Sequence, residues 1–414
     1  MLKLLFVMFS ITFCQIKLSF KKEKLEISKT DSFYNYLANN LLYIKLNIGI
    51  PKQEIKVYLS MDKHPFFISS IKGNGIYNEK KSNTFKIKSN ETKFIGEGLS
   101  NGTKAEETVY LNNEIILKDF PFVLAFQVQD DCKYSLNVIG LKIKPYYSFI
   151  KEENFLYQLK KQKIISSYIY TIKYLNENEG EFIIGNYPHE YDNNFKKENF
   201  NFIKGNVNGY FLSWETEFDK ILYDNISIKE IKTCIFTNDF GGFIVTQDFQ
   251  KILNDSFFNK YFNNNQCIEQ KQNNTSYSSY ICDINIDIKN FKNIRFVHKI
   301  LNMTFVFNYL DLFKLIDNKY YFMIAFSNYD QLIWKLGEPI FKKYQFIFDQ
   351  ENKIFGFYIN NNKNNYYLIP LFLIIVLLFI LLFLLFYFRK ALFSKNRKLR
   401  INEIDENIEY NIIK

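Results

Sequence analysis

Most of the side chains in this 414-residue sequence that could do chemistry stand in spacings that close off reactions. His64, His189 and His298 form no HExxH helix, and no Cys and His cluster has zinc-ligand spacing. No GxSxG elbow, P-loop or GxGxxG after a strand occurs either. Each histidine therefore reads as a surface or turn residue, and no cofactor or metal is expected. The cysteines read differently if the chain enters an oxidising compartment. Cys14 would then leave with a signal peptide, and Cys132, Cys234, Cys267 and Cys282 allow three pairings. Cys267 with Cys282 is favoured, because the two are close in sequence and flank a polar, Asn-rich segment that reads as a hairpin loop. Cys132 and Cys234 are left as buried thiols.

The elements that must position any site are short. From about residue 41 to 360, alternating apolar segments such as IKVYLSM, FPFVLAFQV, SYIYTIKYL and YYFMIAF are broken by Asn, Lys, Gly and Asp clusters. That pattern predicts a mainly β protein of two packed lobes, with helical spacing only in stretches such as 151–163 and 246–262. The chain is 47% hydrophobic and 19% aromatic, enough for a real core. Its net charge of +10 comes from bases interspersed with acids rather than gathered into a stripe, so no nucleic-acid partner is expected.

The two ends carry targeting signals. Residues 366–388, YYLIPLFLIIVLLFILLFLLFYF, are uncharged and long enough, at about 1.5 Å per helical residue, for a transmembrane helix in a bilayer core of roughly 30 Å. Arg389, Lys390, Lys395, Arg397, Lys398 and Arg400 follow it, which assigns residues 389–414 to a cytoplasmic tail. Residues 1–19 read as a signal peptide, with a second retained anchor as the alternative, and residues 20–40 as a short pro or N-terminal segment. A single-pass membrane protein at an endomembrane or the cell surface follows, its ectodomain lumenal or extracellular. Sequons at Asn90, Asn101, Asn225, Asn254, Asn273, Asn274 and Asn302 agree with that topology. Tyr410-Asn411-Ile412-Ile413 resembles a Tyr-x-x-hydrophobic sorting signal, open to adaptors on the cytoplasmic side.

The ectodomain carries a longer resemblance. YIKLNIGIPKQEIKVYL (43–59) is similar to the opening of pepsin-type aspartic peptidases, with Gly49, Pro51 and Gln53 in place. YNEKKSNTFK (77–86), NVIGL (137–141), GEFIIGNYPHEY (180–191) and WKLGEPIFKKYQFIFDQENKIFGFY (334–358) resemble later segments of the family in the right order. The resemblance implies a bilobal pepsin-like acid-protease fold, an N-terminal β lobe over 41–192, a C-terminal β lobe over 193–360, and a cleft between them. It also implies one Asp from a D-T-G loop in each lobe and a hairpin flap with a Tyr over the cleft.

The chain departs from that pattern where the chemistry lies. Peptide hydrolysis by this family needs two carboxylates sharing one proton, one activating water and the other protonating the scissile carbonyl. Counting from Gly49 puts the first Asp at Ser60, so the loop reads Ser60-Met61-Asp62; in the second lobe Thr237-Asn238-Asp239 stands in its place. A hydroxyl cannot be the general base here, since its proton is lost only far above pH 7 and no base stands beside it in sequence. The flap Tyr position falls at Ile95, within Ile95-Gly96-Glu97-Gly98. Phe67 and Gly241 are expected to line the cleft. These substitutions lead to a pseudopeptidase whose cleft binds an extended peptide or protein segment. One alternative is an active aspartic-type endopeptidase of the secretory or endolysosomal system, using a displaced dyad of Asp62 and Asp239. Another is a structural surface glycoprotein with its cleft filled by Phe66, Phe67 and Ile95.

Overall fold

The computed structural model describes residues 15–23, 32–358 apart from 64–65, 71–75, 90–92, 96–98, 113, 129–136, 144–153, 206–212, 229–232, 272–276 and 328–332, and then 378–387 with 389. Residues 1–358 form one compact unit and residues 359–414 another. In the second unit, residues 378–387 are helical and exposed. Among the described residues no helix is long and apolar enough to cross a membrane. Residues 366–377 of the expected span, together with Tyr410 and Ile413, lie outside the described residues.

Among the described residues the first unit is built mainly from strands, as the alternating pattern predicts, in sheets of fourteen, eight and four strands. Two copies of one motif dominate it. In the first half, strand Gln53–Ser60 runs parallel to Asn137–Gly140, whose other edge pairs antiparallel with Phe66–Ser69. In the second half, Thr233–Phe236 runs parallel to Ile333–Leu336, whose other edge pairs antiparallel with Phe243–Thr246. Each motif forces the chain to turn sharply between its first and second strands. Those turns are the loops after Ser60 and after Phe236, which carry the candidate site residues.

Strands Ile169–Tyr174, Glu179–Ile184, Phe200–Lys204, Phe346–Asp349 and Ile354–Tyr358 extend the fourteen-stranded sheet, so strands from both halves of the sequence share it. The apolar side chains of these strands are buried: Phe182, Phe348 and Phe355 are wholly enclosed. Trp214 packs edge-on against Phe348 and donates its ring N–H to the carbonyl of Leu141 at 3.1 Å. That carbonyl also accepts from Tyr170 at 3.0 Å and Gln350 at 2.9 Å, which fixes the end of NVIGL beside the first loop.

A strand also forms where cleavage was expected. Ile16–Lys22 pairs on both sides in the large sheet, so the expected boundary between residues 19 and 20 falls inside it. The expected helical stretches appear as Phe155–Lys161, capped by the Asn154 side chain, and as Gln247–Leu253 continuing through Asn254–Phe258 to Asn259–Asn263. Cys267 and Cys282 are bridged directly across the hairpin Cys267–Lys271/Tyr277–Asp283. Cys234 is fully buried, and burial pushes its thiol pKa up; Cys132 lies outside the described residues.

Candidate functional site

The two loops meet. Thr237 is 1% and Ser60 6% exposed, and between them stands the half-buried carboxylate of Asp239. Its Oδ2 accepts from Ser60 Oγ at 2.9 Å, from the Asp62 backbone N–H at 2.9 Å and more distantly from Thr237 Oγ1 at 3.4 Å. The carboxylate of the second loop is thus capped by the first. Burial, and next the negative charge of Asp62, push the Asp239 pKa up to about 7, although the Asp62 N–H and the Ser60 hydroxyl act in the opposite sense. Lys63 also favours the ionised form. Asp239 is thus the central polar group of the site, and Asp62 reaches it through its backbone N–H.

Beneath this group runs a clamp whose role the sequence reading missed. The Met61 N–H donates to Asn238 Oδ1 at 2.8 Å, and Asn238 Nδ2 donates to the Leu59 carbonyl at 2.8 Å. One wholly buried amide therefore satisfies a donor and an acceptor of the opposite loop. The apolar Met61 side chain, at the matching position of the first loop, has no hydroxyl or amide with which to return the contact. The signal was legible only as a polar side chain at the middle position of one loop and an apolar one in the other.

The second loop is also held from behind. The Gly241 N–H donates to Leu37 O at 2.7 Å, and Asn40 Nδ2 donates to Asn238 O at 2.9 Å. Close backbone packing sets the glycines here: a Cβ on Gly337 would lie 2.1 Å from Phe240 O, and one on Gly242 would lie 2.2 Å from Met323 O. Gly241 itself sits against Leu37, Asn40 and Glu338. Glu338, 3% exposed, is flanked by Lys22 and by Lys342 at 2.5 Å. Burial alone would raise its pKa, but the two ammonium groups outweigh burial and hold it below the usual carboxylate value.

On the first lobe, Phe67 packs with Val123, Ala125 and Val138, and half-buried Tyr58 covers that cluster. Phe66 points elsewhere: it is wholly buried and packs against Phe120, Phe122 and Phe155, so it does not fill a cleft. A hairpin stands at the flap position, where strand Lys93–Ile95 pairs with Leu99–Tyr110 and Ile95 opposes Leu99. Gly96 and Gly98 lie outside the described residues. The base of that hairpin is fixed by buried Glu107, which accepts from Tyr77 O–H at 2.7 Å, from the Thr108 N–H at 2.7 Å and from the Thr84 hydroxyl. Among the sequons, Asn225 and Asn302 occupy exposed turns. Asn254 is instead half-buried in the helical stretch and accepts from Tyr280 O–H at 2.7 Å. Asn101 falls in strand Leu99–Tyr110, while Asn90, Asn273 and Asn274 lie outside the described residues.

A duplicated strand motif, with one loop from each copy meeting at a shared polar centre, defines the domain of a pepsin-like aspartic peptidase. The family model described as "Eukaryotic aspartyl protease" matches residues 42–358, and the chain belongs to that family. No curated protein matches it.

Proposed function

We propose that this protein is a pseudopeptidase: a member of the aspartyl protease family whose cleft binds an extended peptide or protein segment without cleaving it. The observation that carries the reading is the state of the centre. Ser60 and Thr237 hold the two positions where the family places its carboxylates, and the one carboxylate between them already accepts hydrogen bonds from Ser60 and the Asp62 N–H. A single carboxyl cannot be both the base that activates water and the acid that protonates the carbonyl. What remains is a polar floor between two β lobes, suited to an extended segment held by backbone hydrogen bonds and side-chain pockets.

The second reading, an active aspartic-type endopeptidase, takes its support from one observation: the charge of Asp62 raises the pKa of Asp239, so the two carboxyls sense each other. Against it, Asp62 reaches Asp239 through its backbone N–H.

In the favoured reading residues 366–388 anchor the chain in a lipid bilayer, the ectodomain is lumenal or extracellular, and residues 389–414 are cytoplasmic, where Tyr410 and Ile413 meet sorting adaptors. Exposed Asn225 and Asn302 are the favoured glycan acceptors. Immobilised protein should retain a subset of a mixed-peptide library and release it uncut. If no peptide were retained under any condition, the binding half of the proposal would fail.

A further inference from the structure

We infer that the aromatic face formed by Phe195, Phe200, Phe202 and Tyr358 sits against the headgroup region of the bilayer that anchors the chain. The inference rests on residues 366–388 being that anchor, and not on the peptide-binding reading.

The face is an aromatic cluster that the core does not take up. Phe200 and Phe202 stack with ring centroids 5.9 Å apart, Tyr358 lies 5.1 Å from Phe200, and Phe195 meets Tyr358 edge-on at 4.9 Å. Tyr187 closes the group edge-on against Phe200 at 5.2 Å. None of the five rings is fully buried, and Phe202 is 49% exposed. Elsewhere rings gathered this closely are enclosed: Phe258, Phe291 and Phe322 are at most 3% exposed. Strand alternation explains the difference. Ile203 points inward from strand Phe200–Lys204, so Phe200 and Phe202 share its outward side. Opposite Phe202 stands Gly356, which supplies no side chain to cover the ring. The strand also ends the fourteen-stranded sheet: it pairs with Ile354–Tyr358, and its other edge has no strand partner among the described residues.

The course of the chain identifies what covers this face. Tyr358 is both a member of the cluster and the last residue of the first unit. Seven residues, 359–365, separate it from Tyr366, where the uncharged apolar stretch starts. At about 3.5 Å per residue, even a fully extended connection reaches no more than about 25 Å. The surface around Tyr358 is thus tethered close to the bilayer. Its charge suits a neutral leaflet: between residues 187 and 204, Lys196, Lys197 and Lys204 are matched by Glu190, Asp192 and Glu198. Zwitterionic phospholipid headgroups fit such a face better than an anionic surface, which calls for an excess of bases. Aromatic rings among polar groups favour the interfacial zone. The open strand edge can hydrogen-bond to headgroups and water there, though not in the hydrocarbon.

The test reconstitutes the full-length chain in phosphatidylcholine vesicles, with or without bromine on the acyl chains near the headgroup, and reads tryptophan emission. Trp214 and Trp334 are wholly buried, so a Phe202→Trp substitution supplies the exposed reporter, and bromine quenches only rings that approach the lipid. Ile87→Trp is the comparison, at a 54% exposed position on strand Lys86–Ile87, the other end of the sheet order. Relative to the parent, Phe202→Trp should lose emission in brominated vesicles and Ile87→Trp should not. Phe195→Trp, a second position on the face, should behave as Phe202→Trp does. Release of the chain from the vesicles by alkaline carbonate would overturn the anchor, and this inference with it. A chain that stays with the vesicles while both face reporters keep full emission would overturn this inference alone. In that event a two-chain mass in detergent, reduced to one chain by Phe202→Ser, would assign the face to a second copy. Equal losses from Phe202→Trp and Ile87→Trp would also overturn it, since the face would then have no preference for lipid.

Discussion

Replacing Asp239 by Asn should stabilise the protein at alkaline pH and leave it nearly unchanged in acid. The folded carboxyl has a pKa of about 7, whereas an Asp in the unfolded chain titrates near 3.9. The folded state therefore prefers the protonated form. Stability contributed by that preference is fully present below about pH 4 and is lost as pH rises through 7. Three pKa units at about 1.4 kcal/mol each set a ceiling of about 4 kcal/mol. Asp239 keeps some contact with water, which screens the effect, so about 2 kcal/mol is the expected difference. Asn is neutral at every pH, and its carbonyl oxygen can accept from Ser60 and from the Asp62 N–H as the acid does. Urea unfolding of parent and Asp239→Asn protein, residues 15–358, at pH 4, 6 and 8 measures the gap directly; comparing the two proteins cancels the other titrating groups. A gain of about 2 kcal/mol at pH 8 that vanishes at pH 4 is the predicted outcome. Equal shifts at both pH values, or a loss at pH 8, would refute the claim that desolvation and Asp62 strain this carboxylate.

Further consequences follow from the same geometry. Asp62→Asn removes the neighbouring charge, so the parent's loss of stability between pH 4 and 8 should shrink, as read from the same urea series. Asn238→Ala strands the Met61 N–H and the Leu59 carbonyl in the interior and should lower stability by about 2–4 kcal/mol, measured by thermal unfolding. Cys267→Ser with Cys282→Ser opens a cross-link spanning 15 residues and should lower stability by about 3 kcal/mol, with the loss absent when parent and variant are compared under reduction.

The β lobes were legible because alternation of apolar and polar residues has a direct physical cause in half-buried strands, and IKVYLSM, SYIYTIKYL and YYFMIAF all became strands. The Cys267–Cys282 bridge was legible because a hairpin flanked by cysteines brings them to one register. Asp239 was harder to read. Position in the loop placed it two residues past the expected carboxylate, but its approach to Ser60 is a contact across 179 residues of sequence, which no local pattern encodes. Asn238 was hidden for the same reason: its amide acts on the backbone of another loop. The segment before residue 41 was read by its place in the chain, whereas the alternation Ile16, Leu18, Phe20 is the same strand signal used elsewhere. Treating that stretch as leader and pro segment masked it.

The central claim is that this centre binds but does not hydrolyse. It is tested most directly by incubating the purified protein, residues 15–358, with a mixed-peptide library across the range from acid to neutral pH, beside Asp62→Asn and Asp239→Asn variants, and reading the products by mass spectrometry. The account predicts no new termini from any of the three proteins. Cleavage by the parent that disappears in either variant would contradict it and establish Asp62 and Asp239 as a working dyad.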